Sequence, residues 1–398
     1  MRRAVRVVVV VATKKNRPCY RVAAALAVFA ALGFAKPGSA AVLPEDRVDL
    51  LYHSYDGDDI KIDGPSILVR KKIGENFSVS GNYYVDMVSS ASIDVRATAS
   101  PYEEERKQSS VGVSYLHGKT TMNIGYTVSD ENDFEASSLA FGISQDMFGD
   151  LTTVSLSYGL GSDTVRMVGD DTFEEPVDRQ SYGLGITQIL TRKLLVSLNH
   201  ETITDEGYLN NPYRSYRHLD PGDPTGQPLF KQEIYPRTRT SNATSIRGRY
   251  YLPYRAALHA SYRYYADTWG IEAHTTEVGY THPWGNDWIF SGALRFYTQD
   301  NADFYSDLFP RENAQNFMAR DKEMSSFSNS TVSIGIVREI DNIDWGFFEK
   351  GTINLIVDHQ IYEYDNFRDA TVVGVLPGDE PLFDFDANVI RLFLSMWF

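Results

Sequence analysis

The C-terminal segment 387–398 alternates so regularly that it restricts the possible folds more than any other stretch of the chain. One of its two registers is apolar at every position from Ile390 to Phe398, whereas the other register mixes polar and apolar residues. Successive side chains of a β-strand point to opposite faces, so this segment predicts a strand with one apolar and one mixed face. A second sheet or lipid must cover the apolar face.

The same period of two continues through most of the chain. In one stretch, for example, Met122, Ile124, Tyr126 and Val128 alternate with polar or small residues. This period predicts strands rather than helices, and we count about sixteen strands, with about fourteen as the nearest alternative. After the N-terminal region, no apolar run reaches the ~18 residues of a membrane-spanning helix. The predicted fold class is therefore all-β.

The connections between these strands are predicted to alternate in length. Short turns, such as Gly118-Lys119 and Gly285-Asn286, follow every second strand, and longer polar segments follow the others. The longer segments are 87–107, 161–178, 204–240, 299–323 and 365–383. Transmembrane β-barrels show this alternation, because short turns face the periplasm and long loops face outside. The pattern predicts an antiparallel up-and-down transmembrane barrel with an even number of strands.

The end of the chain also fits a barrel. A terminal strand that finishes on phenylalanine is similar to the closing strand of bacterial outer-membrane barrels, whose assembly machinery reads that ending. The predicted assembly signal is the apolar register, which contains Ile390, Leu392, Leu394, Met396 and Phe398. The partners expected from this interpretation are outer-membrane lipid, lipopolysaccharide and the barrel-assembly machinery.

The N-terminal region has the order of a secretory signal peptide. A basic start precedes the apolar run 22–34, and small residues follow it up to Ala40 and Ala41. We therefore predict a signal peptide over 1–41 and a single barrel domain over 42–398, placed in the bacterial outer membrane. The one cysteine, Cys19, lies in the predicted signal, so the mature chain offers no disulfide or thiolate site.

Charged residues occupy the register that would face the lumen if the apolar register faces lipid. They are Asp49, Arg70, Asp86, Glu201, Arg247, Arg249, His259, Arg263, Glu277, Arg295, Asp358 and Arg391. A barrel of about sixteen strands can enclose water, so these charges need not be desolvated. One interpretation is a transverse field that selects permeating solutes. The alternative is an internal lattice of salt bridges that fills the lumen.

The longest predicted loop, 204–240, is rich in proline, tyrosine and arginine. Its candidate constriction residues are Pro212, Tyr213, Arg214, Tyr216 and Arg217. The loop either folds inward to constrict or cap the pore, or it lies on the surface as an ordinary loop. The segment 87–107 is a second candidate lid.

Several kinds of chemistry are disfavoured by the sequence. The formal net charge of −15 argues against nucleic acid, which needs a basic footprint. No histidine pair has metal-ligand spacing, and no motif indicates a cofactor. His200 and Glu201 are neighbours in a predicted strand, so they point to opposite faces and do not form one catalytic site. We therefore predict that the chain is not an enzyme.

Six local stretches resemble a proteobacterial barrel family catalogued only as a domain of unknown function. They are 86–95, 98–106, 117–120, 142–146, 149–153 and 208–214. The resemblance implies an outer-membrane β-barrel and carries over no catalytic residues. Members of that family are found encoded near small lipoproteins and flavin-attaching enzymes, which implies a periplasmic lipoprotein or redox protein as a further partner.

Three functional hypotheses remain open from the sequence. The leading one is a porin-like channel or transporter for small solutes with a charged lumen. The second is a structural or docking barrel, closed by its own side chains or by a periplasmic partner. The third is an outer-membrane hydrolase, which the geometry of His200 and Glu201 disfavours.

Overall fold

A computed structural model describes residues 42–58, 60–89, 103–224 and 226–398 of the chain. The predicted signal peptide and most of the candidate lid 87–107 lie outside these residues. The strands are β1 (Arg47–Gly57), β2 (Ile60–Ile73), β3 (Phe77–Ser89), β4 (Glu103–His117), β5 (Thr120–Asp130), β6 (Phe134–Met147), β7 (Thr152–Met167), β8 (Asp170–Thr191), β9 (Leu194–Gly207), β10 (Ser215–His218), β11 (Leu229–Gln232), β12 (Thr238–Tyr251), β13 (Ala257–Asp267), β14 (Glu272–Trp284), β15 (Trp288–Gln299), β16 (Phe327–Trp345), β17 (Phe348–Arg368) and β18 (Leu382–Trp397).

Within the described residues, sixteen of these strands form one closed antiparallel barrel. Each strand pairs with its neighbours in sequence, except that β9 pairs with β12 because β10 and β11 form a separate small sheet. The first and last strands close the barrel, with their register running from Arg47 opposite Trp397 to Gly57 opposite Ala387. The predicted fold and strand number are confirmed.

The outer surface of the barrel is apolar at alternate positions. Large side chains such as Leu156, Val278 and Ile334 are more than half exposed. Soluble proteins rarely expose a continuous apolar surface of this extent, so the pattern fits a barrel surrounded by lipid. In the described part of the chain, no helix is long and apolar enough to span a membrane.

The C-terminal strand follows the predicted alternation, with one exception. Ile390 and Leu392 are exposed on the outer surface, whereas Met396 is buried, opposite Val48 of β1 and Gly351 of β17. The Phe398 ring packs edge-on against Phe347, with 5.3 Å between ring centroids.

The two ends of the barrel differ. Short connections such as 118–119 and 192–193, together with both described termini, lie at one end, called here the turn end. The connections 208–237, 300–326 and 369–381 lie at the opposite end, called the loop end. The long loop predicted at 161–178 is wrong, because β7 and β8 continue as a hairpin that turns at 168–169. Strands that rise above a bilayer meet water on their outer face, so the apolar alternation that marks a strand disappears there.

The three long connections 208–237, 300–326 and 369–381 pack together at the loop end, and we call them the cap. The cap includes the small β10–β11 sheet and a single 3₁₀ turn, Lys322–Met324. Tyr216, Phe309 and Met318 form one of its buried apolar clusters. A second cluster includes Trp269 of the β13–β14 connection, which joins the cap to the barrel rim. Packing of buried apolar residues is therefore concentrated at the loop end.

Candidate functional site

A basic surface lines one side of the barrel interior, and we call it the wall. It is formed by Arg247 and Arg249 of β12, Arg263 of β13 and Arg295 of β15. Three of these arginines, with Glu277 and several hydroxyl side chains, line a single recess of about 450 Å³. The strand register explains their proximity, because Arg247 lies opposite Ser261, Ser261 opposite Glu277, and Glu277 opposite Arg295.

The four arginines of the wall carry no ion pair among the residues that the structure describes. Glu277 is the one carboxylate among the described residues of the recess, and it lies 3.3 Å from Nε2 of His259 rather than against an arginine. The imidazole fits there because residue 279 is glycine. A Cβ atom at Gly279 would come within 2.1 Å of the His259 ring.

Tyrosine rings support two guanidinium groups of the wall. The Arg263 guanidinium lies 5.7 Å from the centre of the Tyr265 ring, and that of Arg295 lies 6.0 Å from the centre of the Tyr297 ring. Such cation–π contacts orient an arginine without neutralising its charge. The wall therefore presents positioned, positively charged groups to the barrel interior.

In contrast to the wall, arginines are paired with carboxylates where β1, β17 and β18 meet. Arg391 donates to Asp358 at 2.5 Å, and Arg47 contacts Asp49 at 2.8 Å. A recess of about 430 Å³ lies beside Arg47 and Asp49. This side of the barrel contains local pairs of the kind expected for an internal salt-bridge lattice.

The remaining predicted lumen residues are spread around the barrel. Asp86 lies 2.7 Å from Nε2 of His53, and the His53 ring stacks on Tyr84. Arg70 and Glu201 have no ion pair in the described part of the chain, and neither is among the residues that line the wall recess. His53 was not selected from the sequence, although it shares the register of Asp49, and that shared register was the available signal.

The predicted constriction loop lies inside the cap. Tyr216 and Arg217 are among the most deeply buried side chains in the described structure. Pro212, Tyr213 and Arg214 line a recess of about 450 Å³ between the cap and the barrel strands β6–β9. The Tyr213 hydroxyl accepts a hydrogen bond from the Val168 backbone nitrogen, in the turn between β7 and β8, at 2.8 Å. The loop is therefore packed over the loop end.

Charged groups at the centre of the cap are buried and paired. Arg217, whose side chain is 1% exposed, donates to Glu380 at 2.5 and 3.1 Å. It also contacts Asp307, which in turn accepts from Arg320 at 3.1 Å. Each of these four residues belongs to one of the three connections of the cap, so the cluster joins all three. We call it the cap cluster.

Further ion pairs attach the cap to its surroundings. Lys322 contacts Asp58 at the β1–β2 connection, and both side chains are buried. Arg214 pairs with Asp321, which links the constriction loop to the 300–326 connection. Sequence reasoning identified Arg214 and Arg217 but none of their carboxylate partners, because those partners are distant in sequence.

The pKa of Glu380 reflects its position in the cap cluster. Burial acts to raise it, but hydrogen bonds from Arg217 and from the Gly378 backbone lower the pKa below the ordinary range of a glutamate. Glu380 is therefore charged at neutral pH, as the buried guanidinium requires.

The residues considered for hydrolysis do not form a site. His200 hydrogen-bonds Thr244 at 2.9 Å, whereas Glu201 lies in the register of Asn199, which lines the wall recess. Adjacent residues of a strand face opposite sides. Among the described residues, no group of three or more histidine, cysteine, aspartate or glutamate side chains is arranged to hold a metal ion.

A family model described as a protein of unknown function, DUF3570, matches residues 21–176 and 175–347. The chain belongs to this family. The match covers the barrel from its first strand to the end of β16, including the whole wall. No curated protein matches the chain in sequence.

Several solved structures are similar to the barrel. The siderophore receptor PirA from Pseudomonas aeruginosa has 8% identity and a TM-score of 0.44, over 83% of this chain and 60% of the receptor. A bacterial polysaccharide outer membrane secretin has 8% identity and a TM-score of 0.48, over 89% of this chain and 100% of the secretin. A Pseudomonas aeruginosa FadL homologue has 11% identity and a TM-score of 0.44, over 89% and 90% of the two chains. These identities are too low to transfer a substrate or a partner.

Proposed function

We propose that the chain is an outer-membrane channel for small solutes. The observation that carries this proposal is the nature of the barrel interior beside the wall. Its side chains are serine, threonine, asparagine and arginine with one glutamate and one tyrosine, they are partly or fully exposed, and they line an open recess rather than a packed core. Barrels of about sixteen strands are wide enough to leave an aqueous channel, whereas smaller barrels are filled by side chains.

The outer surface supports the proposed location. Its exposed apolar side chains match the lipid-facing band of outer-membrane barrels, and the polar interior matches a water-filled lumen. In this setting the turn end faces the periplasm and the cap faces outside. Outer-membrane lipid and lipopolysaccharide surround the barrel, and the assembly machinery recognises the apolar register of β18.

The test is conductance of the purified full-length mature protein in a planar lipid bilayer. We expect discrete current steps that persist after the protein is shown to be folded by heat-dependent migration on a gel. A folded barrel that remains electrically silent at all voltages, with the cap both intact and shortened, contradicts the channel proposal.

A second candidate function is a closed structural or docking barrel, and the cap favours it. Three connections that share a buried charged cluster obstruct the loop end. A periplasmic lipoprotein or redox protein would then meet the turn end. Shortening residues 212–233 to a glycine–serine linker separates the two candidates. A closed barrel stays silent after the deletion, whereas a capped channel conducts more.

A further inference from the structure

The arginines of the wall have no carboxylate partner among the described residues, which points to a ligand as their partner. We propose that the recess at Arg247, Arg263 and Arg295 binds small solutes that carry two or more negative charges on carboxylate or phosphate groups. A role of this recess in channel selectivity rests on the proposed function. Binding of anions in the recess does not depend on whether the barrel conducts.

The charge balance of the chain makes the wall unusual. The chain has 53 acidic and 38 basic side chains, so carboxylates are in excess. Two other described arginines of the interior, Arg391 and Arg47, each have a carboxylate partner, whereas Arg70 has none. In the recess, the single carboxylate Glu277 is turned to His259. The recess therefore keeps a positive surplus.

The chemistry of the lining selects the ligand class. A guanidinium group is a planar fork that binds carboxylate or phosphate through two parallel hydrogen bonds. Serine, threonine and asparagine side chains add further donors around the arginines. Three permanently charged groups in one recess repel one another, and an anion with several charged oxygens relieves that repulsion more than a monovalent ion does.

The size of the recess agrees with a small solute. Its volume of about 450 Å³ lies in the lower part of the range found for ligand pockets, roughly 300–1,000 Å³. The Tyr265 and Tyr297 rings hold two of the guanidinium groups at the edge of this space. Orienting the arginines before a ligand arrives reduces the entropy that binding would otherwise cost.

The test measures binding and conduction separately. Calorimetric titration of the detergent-solubilised full-length mature protein uses glucose 6-phosphate, succinate and, as the neutral control, glucose. We expect both anions to bind and glucose not to bind. The variants Arg263→Gln and Arg295→Gln, tested singly, are expected to weaken anion binding by about tenfold each, as loss of a charged hydrogen-bonding group does.

Two matched variants complete the experiment. Arg192→Gln removes the same charge from an exposed turn at the turn end and is expected to leave binding unchanged. Arg263→Lys keeps the charge but loses the fork, and an intermediate affinity is expected. Binding of only one of the two anions narrows the ligand class and supports the site.

The outcomes distinguish this inference from the channel proposal. A conducting barrel that binds neither anion overturns the inference and leaves the channel intact. If both variants, Arg263→Gln and Arg295→Gln, bind the anions as strongly as the unchanged protein does, the inference is also overturned, since the site must then lie elsewhere. A barrel that stays silent with the cap both intact and shortened, and whose anion binding depends on these arginines, supports the site and contradicts the channel.

Discussion

Arginine has two different roles at two heights of the same barrel. In the cap, Arg217 is almost completely buried and contacts two carboxylates, Asp307 and Glu380. In the wall, Arg247 and Arg263 are exposed to the interior and have no carboxylate partner among the described residues. The cap arginine holds loops together, whereas the wall arginines remain available to a ligand.

The difference follows from solvation. A charge removed from water is stable only when partners replace its hydration, so each buried cap arginine is accompanied by carboxylates. A charge inside a water-filled lumen keeps its hydration and needs no partner. Removal of a charge should consequently affect stability in the cap and ligand selection in the wall.

The largest effect is expected from Glu380→Gln in the cap cluster. The substitution leaves the buried Arg217 with one carboxylate fewer, and breaking a buried pair in this way costs about 3–5 kcal/mol. We expect the cap to become susceptible to limited proteolysis and to exchange its amide hydrogens faster, with the barrel strands unaffected.

Glu312→Gln is the matched control for this substitution. Glu312 pairs with Lys231 within the same cap, but both side chains are about half exposed. Exposed pairs contribute little because water and salt screen them. Equal proteolysis of the two variants would mean that the cap cluster does not hold the cap together.

Lowering the pH is expected to loosen the cap gradually, as the Glu380→Gln substitution does. Burial acts to raise the pKa of Glu380, but hydrogen bonds from Arg217 and Gly378 lower it below its ordinary value. The stabilisation that charged Glu380 gives the cap is therefore complete above the ordinary glutamate pKa of about 4.3. It is lost as pH falls from there through the lowered pKa. Hydrogen exchange of the cap, divided by the intrinsic exchange rate at each pH and followed from pH 7 to pH 3, should accelerate only below about pH 4. Acceleration between pH 7 and pH 5 would assign the response to other groups.

Arg263→Gln and Arg295→Gln should barely change stability. Arg263 is exposed and Arg295 is partly exposed, and substitutions of such side chains without a buried partner usually alter the free energy of unfolding by less than about 0.5 kcal/mol. Urea unfolding in detergent, compared with Glu380→Gln in the same buffer, measures the contrast directly. A loss of stability as large as that in the cap would show that the wall arginines have a structural role.

The smallest effect is expected from Gly279→Ala. The added Cβ would clash with the His259 ring and move it away from Glu277. Glu277 lies opposite Arg295 on the neighbouring strand and would then be free to pair with it. We expect a modest fall in affinity for glucose 6-phosphate with unchanged folding. Unchanged affinity would mean that His259 does not keep Glu277 away from the arginines.

The barrel was predictable because one physical requirement acts on every strand. Lipid accepts apolar side chains and the interior accepts polar ones, so the requirement appears as a period of two from β1 to β18. The register of Arg247, Arg263 and Arg295 followed from the same period. The prediction failed at 161–178, where β7 and β8 continue as a paired hairpin up to its turn at 168–169.

The candidate site was only partly predictable. Sequence reasoning placed charged residues in the inward register, but the register does not show which of them meet. Whether Glu277 pairs with Arg295 or with His259 depends on the space that Gly279, two residues further along β14, leaves for the His259 ring. The partners of Arg217 were not accessible at all, because Glu380 lies 163 residues away in sequence.

The sequence by itself determined the fold class, a number of about sixteen strands and, for most strands, which register meets lipid. These properties follow from local alternation against two solvents. Tertiary structure alone decided which charges are paired, because pairing depends on loops distant in sequence meeting at the loop end. It thereby buried the arginine of the cap among carboxylates and left the arginines of the wall without an ion pair to any described residue.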